Sequence, residues 1–199
     1  SLNFPGTSIK LKSANDLSDI NIKTSANQTL NAANISAKVQ TLPTGVKVKF
    51  LESNFDVNGK NWTIEKNGEL TLTEEMISAE GIKMYNGLQE IHVTSVPSNS
   101  GKGNDLKVEM QKVNIGDFTP YLVKSNRIEG LLSGTVNVSD PFGKMRVELK
   151  AETEQFRLDD DSIGKLTLNG KYYGALKEVN FNATSVNQDY NFDLRGIYR

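Results

Sequence analysis

Apolar and polar residues alternate with a period of two along most of this chain. The block from Ile128 to Tyr173 shows it most plainly. Val136 and Val138, then Met145, Val147, Leu149 and Ala151, then Leu166 and Leu168 are each separated by one polar residue. Successive side chains of a strand point to opposite faces, so this spacing gives one dry face and one wet face. Turn signals part the runs at Asp140-Pro141-Phe142-Gly143, at Asp159-Asp160-Asp161-Ser162 and at Gly174. The same alternation runs through Ile9 and Leu11, Ile20 and Ile22, Ile35 to Val39, Val46 to Phe50, Trp62 and Ile64, and Leu70 and Leu72. It resumes at Ile91 and Val93, Leu106 to Met110, Val179 to Ala183, and Tyr190 to Leu194. The pattern predicts an all-β chain.

Local turn chemistry refines this picture. Asn67-Gly68 lies between alternating runs and predicts a hairpin, because a type I′ turn needs positive φ at both central residues. Asn58-Gly59 is a similar signal. Asn169-Gly170 reads either as a turn or as a glycine bend inside a long strand. The polar stretch Pro97-Ser98-Asn99-Ser100-Gly101-Lys102-Gly103 is expected to be a hairpin loop within one sheet, with a division of the chain at 97–103 as the alternative. One short helix is expected near Thr119-Pro120-Tyr121-Leu122-Val123. There Thr119 would cap a freed N–H, Pro120 would take the first helical position, and Phe118, Tyr121 and Leu122 would bury against the sheet. Glu74 to Gly81 reads as a helical turn or an irregular strand.

Composition narrows the function classes. Lys plus Arg is 23 and Asp plus Glu is 24 in 199 residues, which leaves no basic footprint for nucleic acid. Cysteine is absent, which excludes disulfides, thiolate metal sites and thiol nucleophiles. No apolar run approaches the roughly 18 residues of a membrane-spanning helix. The opening Ser1-Leu2-Asn3-Phe4 reads as cut from something longer or already processed. The apolar share is a little below that of ordinary globular domains, which suits a sheet with a large wet face.

Candidate chemistry is sparse. His92, the single histidine, sits between Ile91 and Val93 and reads as a surface-facing strand residue; a general base or metal ligand would need an orienting partner. Asp159-Asp160-Asp161 has the oxygen ligands calcium prefers but lacks the spaced loop pattern, so a solvated turn is expected. Glu74 and Glu75 are adjacent and on a strand would face opposite ways, so they cannot flank one glycosidic bond. Trp62 reads as a packed core residue, with a sugar-stacking platform as the alternative. Sequons at Asn27, Asn34, Asn61, Asn137 and Asn182 follow from abundant Asn, Ser and Thr on the wet face. Asp161-Ser162-Ile163 matches a short O-glycosylation pattern of bacterial envelopes. No catalytic set, metal or cofactor emerges. The dry face itself is the candidate functional part.

An ordered series of degenerate motifs resembles the TamB-type proteins of Bacteroidetes. It begins with Asn58-Gly59-Lys60-Asn61-Trp62-Thr63-Ile64, Gly68-Glu69-Leu70-Thr71-Leu72 and Tyr85-Asn86-Gly87-Leu88-Gln89-Glu90-Ile91. It continues with Val113-Asn114-Ile115-Gly116-Asp117-Phe118, a strand leaving into a short helix, then Ile128-Glu129-Gly130 and Gly134-Thr135-Val136. Ser162-Ile163-Gly164-Lys165-Leu166 and Leu194-Arg195-Gly196-Ile197-Tyr198 complete it. The resemblance covers roughly 58–199, and its weight comes from the order of the motifs.

The resemblance implies an elongated, curved antiparallel sheet forming a taco-shaped open hydrophobic trough, with 1–199 as one segment of a longer AsmA-like protein. Such proteins bridge the inner and outer membranes of diderm bacteria through the periplasm. They are anchored in the inner membrane, and in some species they work with an outer-membrane barrel of the BamA type. Their trough is thought to carry phospholipid acyl chains. The candidate lining residues here are Leu106, Val108, Met110, Val136, Val138, Met145, Val147, Leu149, Leu166, Leu168, Val179, Phe181, Phe192 and Leu194. Periodicity alone leaves them either in such a groove or closing the core of a β-sandwich, such as an adhesin or carbohydrate-binding module; the resemblance favours the groove. An open sheet also exposes edges that invite self-association of the segment. Lys47 and Lys49, or Lys144 and Arg146, would oppose it only if they lie on edges.

Overall fold

The computed structural model describes residues 6–24, 32–98, 103–122, 126–187 and 189–199, apart from the side chains of Tyr121 and Leu122. The expectations for residues 1–4, for Asn27, for the interior of the 97–103 loop, for Val123 and for the burial of Tyr121 and Leu122 fall outside what is described. The chain is all-β. Its strands are β1 (Ser8–Ala14), β2 (Leu17–Thr24), β3 (Ala33–Leu42), β4 (Gly45–Phe50), β5 (Ser53–Val57), β6 (Lys60–Ile64), β7 (Glu69–Thr73) and β8 (Ile77–Glu80). They continue with β9 (Ile82–Asn86), β10 (Gln89–Pro97), β11 (Asn104–Asn114), β12 (Ile128–Ser139), β13 (Arg146–Leu158), β14 (Asp161–Tyr173), β15 (Glu178–Val186) and β16 (Asn191–Tyr198). A 3-10 turn, Ile115–Asp117, and the one-turn helix α1, Thr119–Leu122, lie between β11 and β12.

All 16 strands belong to one antiparallel sheet. From β9 to β16 each strand pairs with the next in sequence, a meander that follows from the turn signals between long alternating runs. Asn58 and Gly59 have φ of 49° and 76°, the positive values a type I′ hairpin requires, and they join the paired strands β5 and β6. Asn169 and Gly170 lie inside β14. Pro97 pairs with Asn104, so the polar 97–103 stretch joins a β10–β11 hairpin. Residues 74–80 form a turn and the short strand β8. Glu74 and Glu75 lie in that turn, not on a strand as expected.

The sheet forks at β3. One end of β3 pairs with β5 and the other with β4, while β2 runs along its opposite side. One arm continues β4-β7-β8 and the other β5-β6-β9 onward into the meander. The first arm folds over the second: the Ser95 and Ser78 hydroxyls lie 3.3 Å apart, and the Ser95 hydroxyl donates to the Ala79 carbonyl at 3.2 Å. Ala79, Ile82 and Ile64 are buried there.

The fork overturns the hairpin expected at Asn67-Gly68. β6 pairs with β5 and β9, and β7 pairs with β4, so this turn carries the chain from one arm to the other. The Asn67 N–H donates to the Phe50 carbonyl, and the Phe50 N–H to the Gly68 carbonyl. The positive φ of Asn67, 76°, is used for a crossover that only long-range pairing selects. Lys47 and Lys49 sit on β4, an interior strand, where both reach Glu69 of β7. Arg146 lies on interior β13 and Lys144 in the turn before it, so none of these cations protects an edge.

Candidate functional site: the apolar face

Cross-strand partners share a face, so the register shows which side chains meet. One row runs Ile64, Met84, Ile91, Met110, Gly134, Ala151, Leu168, Ala183 and Leu194, from β6 to β16. A second runs Ile82, Val93, Val108, Val136, Leu149, Gly170, Phe181 and Gly196. A third runs Leu106, Val138, Val147, Tyr172, Val179 and Tyr198. Val113, Leu132, Thr153 and Leu166 form a short fourth row beyond the bulge at Lys112.

These rows place the predicted lining residues on one side of the sheet, with Phe192 beside Leu194 two positions away on β16 and opposite Ser185. Met145 departs from the expectation. It precedes β13 and its carbonyl accepts the Gly174 N–H, so the turn takes its backbone before the strand begins. The face is sealed near the fork and open toward β16. Ile64 of β6 is 8% and Ile82 of β9 is 9% exposed, whereas Phe181 is 43% and Leu194 55% exposed. No second sheet covers this end among the described residues, so the sandwich expected as the alternative does not form there.

At the sealed end the β11–β12 connection lies over the sheet. Trp62 is fully buried, its ring 6.3 Å from Phe55 and 5.9 Å from Phe118, which makes it a core residue and removes it as a sugar platform. Val57 and Val113 complete this cluster. Asp117, 3% exposed, receives Lys60 Nζ at 3.1 Å, which ties the connection to β6. Helix α1 falls where expected, with Thr119 as its first residue. The Thr119 hydroxyl lies 2.7 Å from both the Ile115 and the Ile128 carbonyls, because the connection must satisfy those acceptors where it turns back. Asn114 Oδ1 accepts from the Gly116 N–H. Ile115, Phe118, Ile128 and Leu132 join this end of the face; their signal in the sequence was a strand leaving into a helix, not alternation.

The other face is polar. Lys83, His92, Glu109, Thr135, Lys150, Asn169, Asn182 and Arg195 form one cross-strand row on it. Exposed ion pairs cross it, Lys83–Glu90 at 3.1 Å, Lys165–Glu152 at 2.8 Å and Lys171–Glu148 at 3.4 Å. The Lys107 hydrogen bond holds the Glu109 carboxyl below the ordinary value. A hollow of about 780 Å³ opens here between Glu148, Lys150, Lys171, Asn180, Asn182 and Arg195. His92 takes its place in this polar row as a half-buried strand residue. The Asp159 carboxylate accepts from Asn126 and from the Arg127 N–H, and Arg127 also reaches Asp160, so this acidic turn is satisfied by neighbours.

Among the described residues no group of three or more His, Cys, Asp or Glu is placed to hold a metal ion. No helix there is long and apolar enough to cross a membrane, which leaves strands aside. Family models, curated proteins and solved structures were each compared with the chain, and none matched.

Proposed function

We propose that this chain is a segment of an envelope-spanning bridging protein whose apolar sheet face carries phospholipid acyl chains. The observation that carries the reading is the continuity of the apolar rows from the covered fork to the open strand β16. Each methylene moved from water onto such a face gains about 0.8 kcal/mol, without directional contacts that would fix its position. Seven adjacent strands, β10 to β16, span roughly 30 Å at the usual strand spacing, enough to hold an acyl chain against several of them. Periplasmic location, an inner-membrane anchor and a BamA-type barrel partner belong to the same proposal. They rest on the ordered motifs that resemble the TamB type.

The test is native mass spectrometry, with lipid extraction, of protein purified without detergent. Phospholipid should co-purify, and Val147→Trp or Leu168→Trp should displace it. Lipid-free protein that also takes none from vesicles would sink the reading.

A second reading, a surface interaction module, is favoured by the hollow of about 780 Å³ on the polar face. Its lining joins the amides of Asn169, Asn180 and Asn182 and the charges of Lys150, Lys171, Arg195 and Glu148 to apolar surface that includes Ile197, which suits a ligand with both polar groups and an apolar face. Under that reading, binding to glycans would be lost on Asn182→Ala with Arg195→Ala and untouched by Leu168→Trp.

A further inference from the structure

We infer that the covered end of the apolar face holds a discrete pocket for one unbranched acyl chain, entered methyl end first. This rests on the lipid reading above and deepens it. The pocket is an open-mouthed apolar hollow of about 420 Å³ beside the start of the β11–β12 connection. Ile91, Met110, Val113, Ile128 and Leu132 come from the sheet, and Ile115 and Phe118 from the connection.

Three observations choose the occupant. Among the described lining residues Thr119 has the one polar side chain, and its hydroxyl hydrogen is already committed to the Ile115 and Ile128 carbonyls. The described lining side chains therefore offer no free hydrogen-bond donor to a phosphate or carboxylate, and a polar headgroup brought against them would lose its hydration uncompensated. The volume lies near the bottom of the range for small-ligand sites, about 300–1,000 Å³, which suits a single chain more than the paired chains of a phospholipid. Ile91 and Met110 belong to the same cross-strand row as Leu168 and Leu194, so a chain seated here continues onto the open face with its headgroup outside.

The test uses the whole chain with palmitic acid and, separately, with a two-chain phosphatidylcholine, read by native mass spectrometry. One palmitate should bind per chain. Leu132→Trp, which fills the pocket, should weaken it about tenfold, the loss of roughly two buried methylenes. Lys150→Trp, on the polar face, should leave palmitate binding within about twofold, a change well under one decade. Circular dichroism checks that Leu132→Trp folds, and Ile91→Phe replaces it if it does not. If Leu168→Trp abolishes palmitate binding while the pocket variants do not, the pocket is wrong and the open-face reading stands. Failure of the wild-type chain to bind either lipid removes both.

Discussion

Gly134 and Ala151 face each other across β12 and β13, so close that a Cβ on Gly134 would lie 2.5 Å from the Ala151 Cα. The obstruction is backbone, which cannot swing aside. Gly134→Ala should therefore destabilise the protein by about 1–3 kcal/mol. The contrast is Gly196, where the space of a Cβ is taken by the half-exposed ring of Phe181. That ring can rotate away, so Gly196→Ala should cost less than about 1 kcal/mol. Urea unfolding of both variants checks the order; equal losses would contradict it.

Trp62 fills the cluster between the sheet and the β11–β12 connection. Trp62→Ala should cost about 3–5 kcal/mol through cavity formation. Its tryptophan fluorescence in the wild type should be shielded from acrylamide, since the residue is fully buried. Ready quenching in the native state would show that the connection does not cover it.

Lys60 reaches the buried Asp117 from a half-exposed position. Lys60→Met leaves that carboxylate without its cation and should destabilise by about 1–3 kcal/mol. Adding Asp117→Asn to Lys60→Met should recover part of the loss, because the buried charge is then gone. A double variant no more stable than Lys60→Met would contradict the pairing.

Acid should weaken the fold in a defined window. The Lys47 hydrogen bond holds the Glu69 carboxyl low; Asn126, then the Arg127 N–H, do the same for Asp159; Arg199, then Asn180, for Glu178. With folded pKa values below the unfolded ones, the unfolded chain binds more protons as the medium becomes acidic. The stabilisation is whole above the ordinary carboxylate range, about 4, and is lost as pH falls through the depressed values. Thermal melting should be level from about pH 7 to 5 and fall below about 4. Glu69→Gln should make that fall shallower. A melting temperature that rises on acidification would contradict the sign.

Much of the meander was legible in the sequence because β11 to β16 alternate cleanly and their turns carry Gly, Asp and Pro. Those strands also supplied the lining residues, since a period of two assigns faces without knowledge of the partner. β5 escaped notice because Ser53-Asn54-Phe55-Asp56-Val57 offers few apolar positions, and β9 because its short run Ile82-Lys83-Met84 is bounded closely by glycines. The fork was not legible at all. Whether Asn67-Gly68 closes a hairpin or crosses between arms depends on β4 pairing with β7, a choice made by distant residues. The pocket under Ile115 and Phe118 was hidden likewise, because its walls come from three strands and the connection that leaves them.

The central claim is that lipid is held by one face of this sheet and not the other. Photo-crosslinking amino acids at Val147 and Leu168 on the apolar face, and at Lys150 and Asn169 on the polar face, test it most directly. After incubation with phospholipid vesicles, the account predicts lipid adducts at Val147 and Leu168 and none above background at Lys150 and Asn169. Adducts at all four positions alike, or at Lys150 and Asn169 alone, would contradict it.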